Sequence, residues 1–506
     1  MHGLVSRLFG RRPAPRRAMC SRTPAPLTPW RRMVRGRYDA AQHSDNSRRH
    51  WAAADGLSAR AANSASVRQT LRNRARYEVA NNSYARGIVS TLANDVIGTG
   101  PRLQMLGGTD SDRRFIEAAF QAWSAAIDLP AKLRTMRMAR SQDGEAFAVL
   151  TNNPTLATPV TLDLQLVEAE QIATPDLTRL PSDRVADGIE FDAFGNPIIY
   201  HKLRQHPGDC GPLAATAYDR LPAASILHDF RRERPGQVRG IPELTAALPL
   251  FAMLRDYTLA TLDAAKAAAY FAGILYTDAP AGGESQEVEA LDSIELERNL
   301  LVTMPGGWKL GQIRAEQPAS SYAEFKREVL NEIARCLNMP FNVAAGNSSG
   351  YNYASGRLDH QTYFKSIRVD QSQIASGLLD RIFLAWFREA VLIEGYLPQR
   401  LRRVNVDLTH QWFWDGNEHV DPAKEANAQA TRLANHTTTL ADEYAKRGQD
   451  WETQLRQRAK ERALMEELGL SPAEAQPAER PDNDDSDQTD DADDTSDQPE
   501  DATDAA

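Results

Sequence analysis

In the stretch "ARYEVANNSYARGIVSTLANDVIGTGPRLQ", Val79, Tyr84, Ile88, Leu92 and Val96 recur mostly four residues apart. That step marks one face of a helix, and Gly98 and Gly100 end it. Phe115, Ala119 and Trp123 repeat the step and predict a second helix over about Ser111 to Ala126. From Asp143 the pattern changes to short runs of β character, "EAFAVLT", "TLDLQLVEA", "GIEFDA" and "PIIYHKL", separated by Asn-Pro, Pro-Asp and Gly-Asn-Pro. Together these predict an α+β domain ending near "ILHDFRRERPGQVRGIP".

The next block is helical. "IPELTAALPLFAMLRDYTLATLDAAKAAAYFAG" places Pro242 at a first helical position and predicts a kink at Pro249. Its run of alanines leaves little side chain, so neighbouring backbones can approach closely. A small β insert follows, "GILYTDAPAGGESQE" with "NLLVTMPGGWKLGQI", its Pro-Gly-Gly reading as a turn. Helix returns at Ser321, where Ser321 and Glu324 have the spacing of a capping box, and Phe325, Val329, Ile333 and Leu337 form one apolar stripe. A soft stretch comes next, "GNSSGYNYASGRLDHQ", Gly346 to Gln361. Behind it lies a long helix from Ala354 to about Glu389, interrupted by nothing stronger than Gly377, about 50 Å at ~1.5 Å per residue. "RVNVDLTHQWFWDGNEHVDPAKEA" predicts a strand and an aromatic turn, with Asp421 as N-cap and Pro422 as first helical residue. Two closing helices, about 422–446 and 450–468, complete a chain that is α+β and mainly helical.

Composition narrows the class. A chain of 506 residues, 42% hydrophobic and 25% charged, has room for about two to four domains. Its longest weakly polar run, Ala264 to Tyr276, contains Lys266 and falls short of the roughly 20 apolar residues of a spanning helix. The start, "MHGLVSRLFGRRPAPRR", lacks the apolar region of a secretory signal. The expected setting is a cytoplasm or a particle assembled inside a cell. Cys20, Cys210 and Cys336 show no metal-ligand spacing and read as reduced thiols.

Charge is unevenly spread. Residues 1–76 hold 17 Arg against 3 Asp, residues 479–506 hold 13 acidic groups against Arg480, and the body between them carries about -11. The tail has nothing large to bury and repels itself, so disorder is expected from 471 onward. The arm reads as flexible and suits phosphate or an acidic partner. An acidic body argues against a surface that grips DNA tightly.

Two readings of the chemistry stand side by side. Gly346-Asn347-Ser348-Ser349-Gly350 matches G-x-S-x-G, the elbow of a serine hydrolase, with "FNVAA" as a possible preceding strand and Asp407 and His410 downstream. Against it, helix, β insert and helix precede the motif instead of alternating strands and helices. A flexible Gly/Ser/Asn loop accounts for the same residues. There is no phosphate loop, no H-E-x-x-H and no paired Cys spacing, so neither metal nor cofactor is expected. Asp143-Gly144-Glu145 reads as a turn leading into a strand, and His410, Trp412, Phe413 and Trp414 as an aromatic core under a turn.

The order of elements resembles the lambda-type portal proteins of tailed bacteriophages. The resemblance rests on "YEVANNSYARGIVSTLANDVIGTGPRLQ", "DGEAFAVL", "ILHDFRRERPGQVRGIPELTAAL", "FKREVLNEIARCLNMPFNVAAGNSSGYNYASGRLDHQTYF" and "FWDGNEHVDPAKEANA", in that order between Tyr77 and Leu468. It implies a non-enzymatic ring, usually of twelve copies, at one capsid vertex of a virion assembled in the bacterial cytoplasm. Double-stranded DNA would be packaged and ejected through its channel. By position it implies a wing over 77–240, a first stem helix over 241–270, a clip over 271–320, a second stem helix over 321–338 and a tunnel loop over 339–354. The long helix and return strand would span 355–411 and the crown 412–470, with the arm (1–76) and the acidic tail (471–506) outside. The loop residues facing DNA would be Asn342, Gly346, Asn347, Ser348, Ser349, Gly350, Tyr351, Asn352 and Tyr353. The clip residues docking a partner would be Gly282, Gly283, Pro305, Gly306, Gly307 and Trp308. Implied partners are further copies of the chain, the terminase large subunit, the major capsid or scaffold protein, a head-tail adaptor and the DNA itself. A loop that touches sliding DNA without holding it suits small, uncharged residues, because each Lys or Arg would add a phosphate contact. A helical scaffold that binds nucleic acid through its Arg-rich arm, without a channel, is the remaining alternative.

Overall fold

A computed structural model describes residues 49, 51–174, 184–209, 217–270, 274–277, 308–311, 319–350, 352–402, 406–416 and 422–470. The chain divides into two units, residues 1–58 and 59–506. In the first, the described residues include a turn closed by Ala54 N–H on the Trp51 carbonyl. Everything below concerns the second.

After a single helical turn at Ala59–Ala62 come α1 (Ala65–Asn81) and α2 (Ser83–Ile97). Asn82 separates them by capping α2, its side chain accepting from Tyr84 and Ala85 N–H. The expected boundary between arm and body at residue 76 therefore falls inside a helix. The buried positions of α1 are Arg68, Arg72, Ala75 and Glu78, a helical spacing carried mostly by charged residues. Gly98 closes α2 as expected, at φ 58°. Strand β1 (Arg102–Met105) leads to α3 (Asp110–Ala126), capped by Thr109, and α4 (Leu129–Asp143).

The β region consists of β2 (Glu145–Asn152), β3 (Leu162–Val167), β4 (Val185–Ala186), β5 (Ile189–Phe191), β6 (Pro197–Leu203), β7 (Tyr218–Pro222) and β8 (Ile226–Phe230). All four expected runs are strands. One antiparallel sheet has the order β3-β2-β8 and another β4-β5-β6-β7. Phe147 pairs in register with Val167 on one side and His228 on the other.

Helix α5 (Leu248–Tyr270) begins later than the sequence implied, after a 3-10 turn at Thr245–Ala247. Pro242 thus precedes the helix. Pro249 sits in its first turn, where the missing N–H costs nothing, and the helix runs on to Tyr270. Strands β9 (Ile274–Thr277) and β10 (Trp308–Gly311) pair antiparallel, as expected of the insert. Helix α6 (Ala319–Cys336) begins ahead of Ser321, so Ser321 and Glu324 do not form a capping box at its start. Next come the short α7 (Phe341–Ala345), then α8 (Tyr353–Ile374), a π turn over Ala375–Leu379 and α9 (Asp380–Leu392). The expected single long helix is therefore one rod with a π turn around Gly377, which has no side chain to crowd the widened turn. Arg381, just beyond, donates to the carbonyls of Ala223 and Ile226 at 2.8 Å each and ties the rod to the start of β8.

Strand β11 (His410–Phe413) returns to pair antiparallel with β1. Three closing helices follow instead of two: α10 (Pro422–Ala434), α11 (Leu440–Ala445) and α12 (Trp451–Glu467). Pro422 opens α10 as expected; Asp421 lies outside the described residues. The main core joins α2, α3, α4, α6 and α9 around Trp123, Phe120, Phe383 and Trp386, each 2% exposed or less. Trp412 stands edge-on to Phe120 at 5.7 Å and donates to Asp380 at 2.8 Å, so the aromatic run on β11 is core.

Candidate functional site

The loop after α7 is built by hydrogen bonds within its own backbone. Asn338, in a left-handed conformation at φ 53°, turns the chain out of α6, and Pro340 precedes α7. Gly346 ends α7 at φ 62°, its N–H donating to the Val343 carbonyl, while Asn347 N–H donates to the Asn342 carbonyl at 3.0 Å. Ser349 N–H then donates to the Asn347 side chain at 2.9 Å, a local Asx turn. Gly350 has φ 80° beside the Arg327 guanidinium. Gly346 through Gly350 and Asn352 are all exposed.

Beneath this uncharged tip the chain is anchored. Phe341 and Ala344 are buried, and the Arg327 guanidinium lies 5.4 Å from the Phe341 ring centroid. Asn342 shares a 2.9 Å hydrogen bond with His360 on α8, so this residue supports the loop from below instead of standing on its exposed tip. Tyr353 lies in the first turn of α8. Tyr351 is outside the described residues. Of the expected clip residues, Trp308 is the first residue of β10, and Gly282, Gly283, Pro305, Gly306 and Gly307 are outside the described residues.

The hydrolase alternative fails on this geometry. "FNVAA" is the helix α7, so no strand delivers Ser348 to an elbow. Asp407 accepts from Thr409 N–H at 3.0 Å and from its hydroxyl at 2.6 Å. His410 is held by the Leu408 carbonyl at 2.7 Å and by Asp380 at 3.1 Å. Among the described residues no hydrogen bond joins Asp407 to His410 or a histidine to Ser348.

What the sequence did not reveal is a buried ionic scaffold where α4 meets β2. Asp143, Gly144 and Glu145, read as a simple turn, are its centre. Glu145 is fully buried and faces Arg239 at 2.7 Å, His228 at 3.1 Å and Arg72 at 3.4 Å. Burial alone would raise its pKa, yet the Arg239 and His228 side chains hold it well below the usual carboxylate range. A second knot joins three elements. Arg137 on α4 bridges Glu243 at 2.8 Å and Asp370 on α8 at 2.9 Å, and Arg140 bridges the same two carboxylates at 3.0 Å each. Against its burial, Arg137 and Arg140 hold Glu243 down at about 2. The rod behind the loop is thereby clamped to the α+β region. A sequence signal existed: Arg137 and Arg140 share a helical face with Leu133 and Met136, all four buried. Cys336 is a half-buried thiol whose Sγ lies 3.1 Å from the Glu243 carbonyl; Cys20 and Cys210 are outside the described residues.

Among the described residues of the loop the arrangement offers no catalytic group. It presents small, polar residues that carry no charge themselves, with the exposed Arg327 guanidinium beside Gly350.

Comparison with known proteins agrees with the order of elements. The sequence pattern of the family described as "Phage portal protein, lambda family" matches residues 45–371. A "Probable portal protein" of Halomonas phage phiHAP-1 is 28% identical over 409 residues, covering 76% of this chain and 78% of that one. "Portal protein B" of Escherichia phage lambda is 22% identical over 445 residues, covering 78% and 83%. Among solved structures, "Neck of empty GTA particle computed with C6 symmetry" aligns at a TM-score of 0.46 with 14% identity, over 74% of this chain and 92% of that one.

Proposed function

The chain belongs to the lambda family of phage portal proteins, a structural virion component and not an enzyme, and from that premise we propose how its parts work. Copies of the chain close into a ring of twelve, set at one capsid vertex and assembled in the bacterial cytoplasm. Double-stranded DNA moves through the central channel during packaging and ejection. Gly346 to Asn352 lines that channel, with Asn342 and Tyr353 at its roots. The β9–β10 insert, with Gly282, Gly283, Pro305, Gly306, Gly307 and Trp308, forms the clip that meets the terminase large subunit and later the head-tail adaptor. The α+β region faces the capsid or scaffold protein.

The observation that carries the channel reading is the loop itself: six exposed, uncharged residues on a base held by the Asn342–His360 hydrogen bond and the Arg327–Phe341 contact. A duplex slides past such a surface without counterion release, whereas each cation would add a phosphate contact to break. Ring closure is supported by apolar residues that one chain leaves in water. On α5 Met253 is 68% exposed and Leu259 53%; on α6 Phe325 is 49% exposed. Surfaces of this kind mark interfaces. Negative-stain images of the purified full chain test the proposal. Rings with a central pore are expected; monomers alone at micromolar concentration would overturn it.

A further inference from the structure

Two helical faces of the chain carry exposed charge of opposite sign. On α6, Glu324, Glu328 and Glu332 recur four residues apart and are all exposed, as is Asp256 on α5. Among the described residues none of these carboxylates forms an ion pair. They share the surface with apolar side chains that one chain leaves in water. Tyr257 packs against Phe325 at 4.8 Å between ring centroids, the two 37% and 49% exposed, and helical spacing sets Asp256 beside Met253 and Glu328 beside Phe325. The exposed cations of α6 are Arg327, which lies over the Phe341 ring, and Arg335 in the last turn. On α8 the exposed charges are Arg357, Lys365 and Arg368 against Asp359. Arg368 donates to the Phe364 carbonyl one turn back, and among the described residues none of the three cations meets a carboxylate. Leu358 and Val369, on the same face as Lys365, are 66% and 52% exposed.

Resting on the ring reading above, we propose that the acidic α5–α6 face of one copy packs against the basic α8 face of the next. A head-to-tail ring needs two different patches that fit each other, because each copy uses one patch on each neighbour. The spacings agree: Glu324 to Glu332 and Arg357 to Lys365 are each eight residues, ~12 Å of helix at ~1.5 Å per residue. Apolar residues stand on both faces, so their burial supplies attraction while the charges fix register. Acid against acid or base against base repels, which disfavours a two-fold pair built from either face alone. For the basic face, Leu358 and Val369 favour a protein partner over a DNA backbone, since exposed apolar side chains gain nothing from phosphate.

Mass photometry of the full chain, at concentrations where the parent forms rings, is the test. One variant carries Glu324→Lys, Glu328→Lys and Glu332→Lys, and the other Arg357→Glu, Lys365→Glu and Arg368→Glu. Each should raise the concentration needed for rings about tenfold or more. An equimolar mixture of the two should recover rings of alternating copies, because each reversed face then meets its complement on the other variant. A single chain with all six changes should recover them too. Where a triple variant melts below the parent, the single reversals Glu328→Lys and Lys365→Glu and their mixture are read in its place. The inference is overturned if either variant forms rings as the parent does, including a basic-face variant that loses only its binding of a short DNA duplex. It is also overturned if both variants lose rings and neither the mixture nor the six-fold chain recovers them. In those outcomes the parent still forms rings and the ring reading stands, whereas a parent that stays monomeric overturns both.

Discussion

Arg239 and Glu145 form a buried fork: Arg239 Nη2 lies 2.7 Å from one Glu145 oxygen and Nε lies 2.9 Å from the other, both side chains 2% exposed or less. Two parallel bonds fix direction as well as distance. They fasten the end of the α+β region to the first residue of β2. Removing one partner leaves a buried, uncompensated charge. Arg239→Met should therefore cost about 3–5 kcal/mol in urea unfolding, and Arg239→Lys should recover little because an ammonium cannot fork. The double change Arg239→Met, Glu145→Gln should cost less than Arg239→Met alone. If the single variant unfolds like the parent, the pair is not holding the region together.

Glu243 gives a pH signature. Its ordinary pKa of 4.5 is lowered to about 2 in the fold because, against burial, Arg137 and Arg140 favour the carboxylate. A depressed carboxyl contributes stability that is full above 4.5 and lost as pH falls toward 2. The difference amounts to about 3 kcal/mol. Glu243→Gln should lower the melting temperature clearly at pH 7, and the gap to the parent should narrow as pH drops below 4.5. A gap that is constant between pH 7 and pH 3 would mean that the ion pairs do not set this group's protonation.

The sequence showed the strands, the second predicted helix and the loop, but it hid the helices that bury charge. The strands carry runs such as Ala146 to Val149, all buried, and apolar runs are legible. Helix α4 was missed because four of its seven buried residues are Arg137, Arg140, Ser141 and Asp143. Helix α1 was read as arm because Arg68 and Arg72, which looked like solvent-exposed cations, are 4% and 3% exposed and face Asp187 and Glu145. Apolar periodicity reports hydrophobic burial alone, and partners more than 70 residues away decide whether an arginine can be buried. The loop's position was legible from its Gly, Asn and Ser content. Its root was not: Asn342 reads as a loop residue, yet its partner His360 lies 18 residues on.

Gly240 and Gly144 set a steric limit. A Cβ at Gly240 would fall 1.9 Å from the Gly144 carbonyl oxygen, and Gly144 itself has φ 90° with a Cβ position 2.5 Å from the Ile241 carbonyl carbon. Neither contact is with a flexible side chain. Gly240→Ala should destabilise by at least about 3 kcal/mol, seen as a lost soluble yield or a lowered melting point. Gly346→Ala, with open space around its Cβ but φ 62°, should cost only about 1 kcal/mol. Equal effects at the two positions would contradict the close approach.

Ser348→Ala should leave stability within about 0.5 kcal/mol, because the residue is exposed. Packaging should proceed as in the parent. An esterase activity that vanishes in this variant would reverse the reading of the loop.

Charge on the loop is the sharper test of the channel. If Gly346 to Asn352 lines a passage for sliding DNA, a ring presents every substitution once per subunit, and each lysine adds a phosphate contact that must break at each step. Asn347→Lys with Ser349→Lys should still give rings and heads, since both positions are exposed, yet it should retain less DNA or eject it more slowly. Losing the Asn347 side-chain bond to Ser349 N–H loosens the turn as well, so Asn347→Ala with Ser349→Ala is the matched control and should package nearly normally. The lysine defect should soften as salt rises, because counterions compete for the phosphates. A lysine variant that packages normally beside a failing alanine control would show that Asn347 or Ser349 makes a specific contact. If neither variant changes packaging or ejection, the segment does not line the channel, and the DNA path runs past other residues of the ring.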